Sequence, residues 1–173
     1  IRDSDSPILT NSQFKKFKKF FSKKIKVIDC TFGIQNSLKD RIEAIREEAE
    51  TAVREGSTCI VLSDKDFSSK KASIPSILTV GAVHSHLVKH GLRGYCSLNV
   101  ECSDAMDTHS FAVLIGVGAT TVNSYLAIDS IYQRFEKKLF GKSDFETCIS
   151  KFKKSIDAGL LKIMSKMGIS VIS

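Results

Sequence analysis

The run Thr58-Cys59-Ile60-Val61-Leu62 does not alternate between polar and apolar residues. A strand with one wet face alternates; a strand that is apolar throughout is buried on both faces, as in a parallel sheet covered by helices. Similar short β-prone runs recur at 25–30 (IKVIDC), 95–101 (YCSLNVE) and 111–115 (FAVLI). Between them lie stretches with helical period. Positions 37–55 place Leu38, Ile42, Ile45, Ala49, Ala52 and Val53 on one stripe, and Gly56 is suited to end that helix. Pro75 stands near the start of an apolar helix that runs to about Lys89, with Gly91 closing it. A further helix is expected over 120–138, a long last helix over about 144–166, and the beginning of another strand at 167–170. Strands that alternate with helices predict an α/β fold: a mostly parallel sheet with flanking helices and right-handed crossovers. Periodicity leaves open whether four or five such strands form an open sheet or part of a barrel. Residues 1–173 read as a single domain.

Charge is unevenly placed. The chain carries Lys+Arg 26 against Asp+Glu 19, a formal net charge of +7. Positions 14–26, FKKFKKFFSKKIK, hold seven lysines and no acid, which leaves 19 basic residues facing 19 acidic ones elsewhere. Phe14, Phe17 and Phe21 recur at i, i+3 and i+7, so a helix over about 11–24 has one aromatic face. Such a helix either docks by that face with its lysines solvated, or binds nucleic acid or another anionic surface. The stretch has no arginine and the chain no second basic segment, which favours docking.

No apolar run approaches the ~18 residues of a membrane span. The N-terminus lacks both an initiator Met and a signal-peptide apolar region, as expected of a fragment or a processed piece. Five cysteines, Cys30, Cys59, Cys96, Cys102 and Cys148, are scattered without a C-x-x-C pair. This predicts free, buried thiols in a reducing, cytoplasmic setting and no zinc site.

His84, His86 and His90 fall on one expected helix, with His86 and His90 at i, i+4. The segment HLVKH lacks the Glu of HExxH and no third ligand is evident, so the histidines are expected to pack or to line an interface rather than hold a metal. His109 stands just before the 111–115 run, as a capping or core residue. Gly116-Val117-Gly118-Ala119 falls between an expected strand and an expected helix. There, backbone N–H groups at a helix N-terminus can hold a phosphate, or the glycines simply permit a tight turn. Asp29 and Asp64 close expected strands, at the edge where α/β folds place their sites. No nucleophile–base order stands out.

Several stretches, taken in order, resemble one family. They are SPIL at 6–9, IVLSD at 60–64, ASIPSIL at 72–78 and GAVHSHL at 81–87. They continue with GLR at 91–93, THSFA at 108–112, GVGA at 116–119, VNSYLA at 122–127 and GLLKIMSKMGIS at 159–170. Together they resemble the central region of the glutamate synthase large chain. Lys65 stands where that family usually has Arg, Ser85 interrupts a His triplet, Ser110 replaces a second His and Ser124 a Pro. Met106 stands in place of Arg, and Val117 in place of an aromatic residue.

The resemblance implies a non-catalytic connecting domain of an enzyme that makes L-glutamate from L-glutamine and 2-oxoglutarate. An amidotransferase domain and a flavin-binding domain would be its partners within that enzyme, with no nucleic acid and no membrane. FMN and an iron–sulfur cluster would belong to the whole enzyme, with no cofactor in this region. The sheet would resemble part of a flavin-type (β/α) barrel. Asp29, Cys30 and Thr31, in a run like the family's Asp-x-Thr-Phe, become candidates for the ammonia path. Gly116, Gly118 and Ala119 become a vestigial phosphate loop. His84, His86 and His109 become interface or packing residues. The competing reading is an independent basic α/β module that binds nucleic acid or an anionic surface through positions 14–26.

Overall fold

The computed structural model describes residues 6–105, 107–127, 150, 153–159 and 162. Most of the expected helix over 120–138 and of the last helix over 144–166, and all of the strand expected at 167–170, lie outside the described residues. Positions 150, 153–159 and 162 are helical.

Helix α1 (Asn11–Phe20) starts at a capping box: the Thr10 hydroxyl accepts from the Gln13 amide at 3.2 Å, and the Thr10 amide donates back to Gln13 Oε1 at 3.0 Å. Strand β1 (Ile25–Asp29) turns directly into the short β2 (Thr31–Gly33). Helix α2 (Leu38–Arg54) is capped by Ser37 and released by Gly56 at φ +102°, a left-handed value that suits glycine. Then follow β3 (Cys59–Ser63), β4 (Lys71–Ser73), α3 (Ser76–Lys89), β5 (Ser97–Cys102), α4 (Thr108–Gly116) and β6 (Thr121–Ser124).

The four long-range strands lie in the order β1-β3-β5-β6, every pair parallel. Each neighbour is reached through one helix, α2, α3 or α4 in turn. Right-handed crossovers in one direction put all three helices on the same face. The core on that face joins Ile28, Ile60, Leu62, Leu98, Val100 and Val122 to Ile45 and Ala49 of α2, Val83 and Leu87 of α3, and Phe111 and Leu114 of α4. The opposite face carries α1: Phe14 packs on Cys59 and Val61, with Phe17, Phe21 and Ile25 around it. β3 is therefore buried along its whole length, as its apolar run requires. Among the described residues the sheet is an open, singly wound α/β layer in the order β1-β3-β5-β6.

Two small pairings finish the edges. β2 and β4 form an antiparallel ribbon, Thr31 opposite Ser73 and Gly33 opposite Lys71. Beyond β6 the N-terminal segment adds a parallel bridge at Ile8: the Leu9 amide donates to the Val122 carbonyl at 2.9 Å, and the Val122 amide to the Pro7 carbonyl at 2.8 Å.

One element departs from the sequence reading. The apolar run 111–115 is not a strand but the middle of α4. Five apolar residues fit a buried strand or a turn and a half of buried helix equally well. Here Asp107 decides: its carboxylate accepts from the Ser110 amide at 2.8 Å and caps the helix N-terminus. The expected helix from 120 correspondingly begins as strand β6, and helical geometry resumes at 125–127.

Candidate functional site

The carboxyl ends of β1, β3, β5 and β6 meet along one edge, where singly wound α/β sheets carry their sites. Asp64, just beyond β3, is buried at 3% exposure and takes three donors. The Tyr125 hydroxyl donates to its Oδ1 at 2.5 Å; the Ser103 amide and hydroxyl donate to its Oδ2 at 2.9 and 2.5 Å. Burial, followed by that hydrogen bond, holds the Tyr125 hydroxyl well above its ordinary pKa, so it stays a donor. Asp104 takes the Ser76 amide at 3.0 Å and the Ser76 hydroxyl at 2.7 Å, placing its carboxylate at the positive end of α3.

On the α1 face the edge holds a buried carboxylate. Glu101 accepts from the Ser63 hydroxyl at 2.7 Å, and its other oxygen faces Lys18 at 3.4 Å and Lys65 at 3.7 Å. Lys18 and Lys65, with Asn123 and Tyr125, line a cleft of about 490 Å³ between α1 and this edge. The ammonium of Lys65 also lies 5.4 Å from the centre of the Tyr125 ring.

At the β1–β2 turn, Asp29, Cys30 and Thr31 come together tightly. Asp29 Oδ1 accepts from the Thr31 amide at 3.0 Å and the Thr31 hydroxyl at 2.8 Å. The Cys30 amide donates to the Ser63 carbonyl at 2.7 Å, and the Cys30 carbonyl accepts from the Ile74 amide at 3.0 Å. Burial, and then the charge of Asp29, push the Cys30 thiol up to about 12. Arg41 of α2 clamps the turn from outside: its guanidinium donates to the Thr31 carbonyl at 3.0 Å and also to the Asp29 carbonyl. The sequence reading did not single out Arg41; the only signal was a basic residue in the first turn of a helix that follows the strand.

Gly116, Gly118 and Ala119 are not at a helix N-terminus. They close the C-terminus of α4, where the Gly118 amide donates to the Ile115 carbonyl at 3.1 Å and the Ala119 amide to the Leu114 carbonyl at 3.0 Å. Gly118 has φ +127°, and a Cβ there would lie 2.4 Å from the His84 ring. Arg93 fills the remaining space, donating to the Gly118 carbonyl at 2.9 Å, the Cys96 carbonyl at 2.7 Å and His84 Nδ1 at 3.0 Å. A helix C-terminus presents carbonyls and repels anions. A flavin phosphate therefore does not fit this turn, which ends a helix instead of leading from a strand into one. The cause is the strand-for-helix exchange at α4.

The histidines separate. His84 is half-buried against Gly118, and burial together with the Arg93 charge lowers its pKa, in keeping with an Nδ1 that accepts from Arg93. His86 turns away and meets Glu50 of α2 at 2.8 Å. His109 is exposed in the first turn of α4, where Asp107 does the capping. Of the basic stretch, Phe14 is buried at 1% exposure and Lys18 faces Glu101, while Lys15, Lys16, Lys19, Lys23 and Lys24 are exposed.

A parallel sheet wound in one direction, with hydrogen bonds among its own side chains along its carboxyl edge, defines an open α/β domain. The chain belongs to the glutamate synthase central domain family, whose model matches residues 3–173. It is 48% identical over 172 residues to the glutamate synthase (NADPH) large chain of Azospirillum brasilense, covering 98% of this chain and 11% of that protein. It is 38% identical over 173 residues to the corresponding large chain of Bacillus subtilis (strain 168), covering 96% of this chain and 11% of the relative. It is 40% identical over 156 residues to the chloroplastic ferredoxin-dependent glutamate synthase of Spinacia oleracea, covering 84% and 10%. The chain thus spans about a tenth of the length of these relatives. Among the described residues, no helix is long and apolar enough to cross a membrane.

Proposed function

We propose that this chain is the non-catalytic connecting domain of a cytoplasmic glutamate synthase, an oxidoreductase that makes L-glutamate from L-glutamine and 2-oxoglutarate. It links the amidotransferase and flavin-binding domains of that enzyme and shapes the path of ammonia between them. FMN and the iron–sulfur cluster belong to the rest of the enzyme.

One observation carries the reading: the edge where a reactive site would stand has its acids already engaged. A general base needs a free lone pair aimed at its substrate. Asp64 gives its oxygens to three donors, Asp104 its oxygens to two, and Asp29 one of its oxygens to Thr31. A nucleophilic cysteine needs a thiolate, whereas burial pushes the thiols of Cys30 and Cys102 up to about 12. These groups hold loops in place.

The Asp29–Cys30–Thr31 turn suits a neutral guest. A bare carboxylate on the route would favour ammonium over ammonia and trap it. Turning one oxygen of Asp29 onto the Thr31 amide and hydroxyl draws its charge into the turn itself. The test is Thr31→Val in the intact enzyme, which removes the hydroxyl donor from Asp29 and leaves only the residue-31 amide on its Oδ1. The ratio of glutamine hydrolysed to glutamate formed should rise above the wild-type ratio, with ammonium released to the medium. An unchanged ratio would remove this turn from the path.

A further inference from the structure

At the other end of the helical layer, α2 and α3 bring three ligand-type side chains to one point. Glu50 Oε1 lies 2.8 Å from His86 Nε2 and 3.5 Å from His90 Nε2, and the three atoms lie within 4.8 Å of one another. His86 and His90 are one helical turn apart, with ring centres separated by 4.4 Å, so both present Nε2 to the same side. We infer that Glu50, His86 and His90 form a binding site for a divalent transition cation of the zinc class, bridging α2 and α3.

The distances fit that chemistry. Zinc bonds of about 2.0–2.2 Å to imidazole nitrogen and carboxylate oxygen place tetrahedral ligand atoms roughly 3.3 Å apart. The two measured separations fall on either side of that value, so small side-chain rotations reach it. A His₂Glu set leaves a fourth position for water, and imidazole ligands select zinc, copper or nickel over magnesium and calcium.

The surroundings also prepare the ligands. Arg54, one turn along α2, donates to Glu50 Oε2 at 3.1 Å and leaves Oε1 turned to the histidines. Without a cation the geometry is poorly used: one carboxylate oxygen is shared by two imidazoles, and the His90 contact at 3.5 Å is long for a hydrogen bond. With a cation both nitrogen lone pairs and the carboxylate charge are satisfied at once. All three side chains are partly exposed, which gives the ion an entry path.

The experiment is a zinc titration of the intact protein against a chromophoric chelator, comparing wild type with His90→Ala and Glu50→Gln. Both substitutions fall at partly exposed positions and leave the core untouched. Even indirect partners of a metal change affinity by roughly 10–100-fold, so losing a direct ligand should weaken zinc at least about tenfold. The wild type should bind one equivalent more than either variant and gain thermal stability from zinc that the variants lack. Magnesium should do neither. Equal zinc binding by wild type and His90→Ala, or a thermal response to zinc common to all three proteins, would show an ion-pair network only and overturn the site.

Discussion

At the scale of single residues, the buried thiols and hydroxyls of the sheet edge behave as neutral donors. Cys30 and Cys102 sit at the ends of β1 and β5, and burial raises both thiols from 9.0 to about 12. In the unfolded chain they ionise near the ordinary value; in the folded chain they do not. The folded state therefore holds more protons between pH 9 and 12, and its stability falls as pH rises through that window. Below pH 9 the contribution is fully present. The denaturation midpoint should drop steadily above pH 9, and a Cys30→Ala/Cys102→Ala double variant should show a flatter alkaline limb. A double variant with the wild-type slope would place the alkaline loss elsewhere.

At the scale of elements, α4 shows how far local pattern reaches. Helices α2 and α3 and strands β1, β3 and β5 were legible to within a residue or two, because period and cap chemistry agree there. The run 111–115 was not legible, because its apolar residues fit either element and only Asp107 with Ser110 marked a helix start. That exchange also reversed the meaning of Gly116–Ala119, from a helix beginning to a helix end. Its C-terminus depends on Gly118, which has a left-handed φ and His84 against it, whereas Gly56 has a left-handed φ but open space. Gly56→Ala should cost about 1 kcal/mol from backbone strain alone. Gly118→Ala should cost about 2–3 kcal/mol, because the clash with His84 adds to the strain. Urea denaturation of both variants checks this, and His84→Ala should recover part of the Gly118 loss but none of the Gly56 loss.

At the scale of the whole molecule, the two faces of the sheet are covered unlike each other. Three helices cover one face with apolar side chains, and α1 covers the other over a mixture of Phe14 contacts and buried polar groups. Asn99 and Asn123 on that face are hydrogen-bonded: Asn99 accepts from the Thr121 hydroxyl at 2.7 Å, and Asn123 donates to the Leu9 carbonyl and to Asn11 Oδ1, both at 2.9 Å, and so ties the N-terminal segment to β6. The same segment shields the β6 edge through Ile8, which is 3% exposed. Ile8→Ala should cost about 2–4 kcal/mol by opening a cavity. It should also loosen the strand beside β6 and promote association through the bared edge. Denaturation and light scattering together test this; a soluble variant of wild-type stability would show that the edge does not need its cover.

The sequence by itself determined that this chain is a parallel α/β domain, where most of its helices lie and that its basic stretch has an aromatic side to bury. These follow from short-range pattern, because alternation, helical period and caps record how a segment is to be buried. Only the tertiary structure decided which segments do the burying. Asp64 finds Tyr125 across 61 residues and Ser103 across 39, and Glu50 meets His86 across 36. Arg41 closes the Asp29–Thr31 turn, and Arg93 closes the end of α4. Such meetings depend on how successive strands are laid side by side, and no local spacing encodes the distance between residues that the winding of the chain brings together.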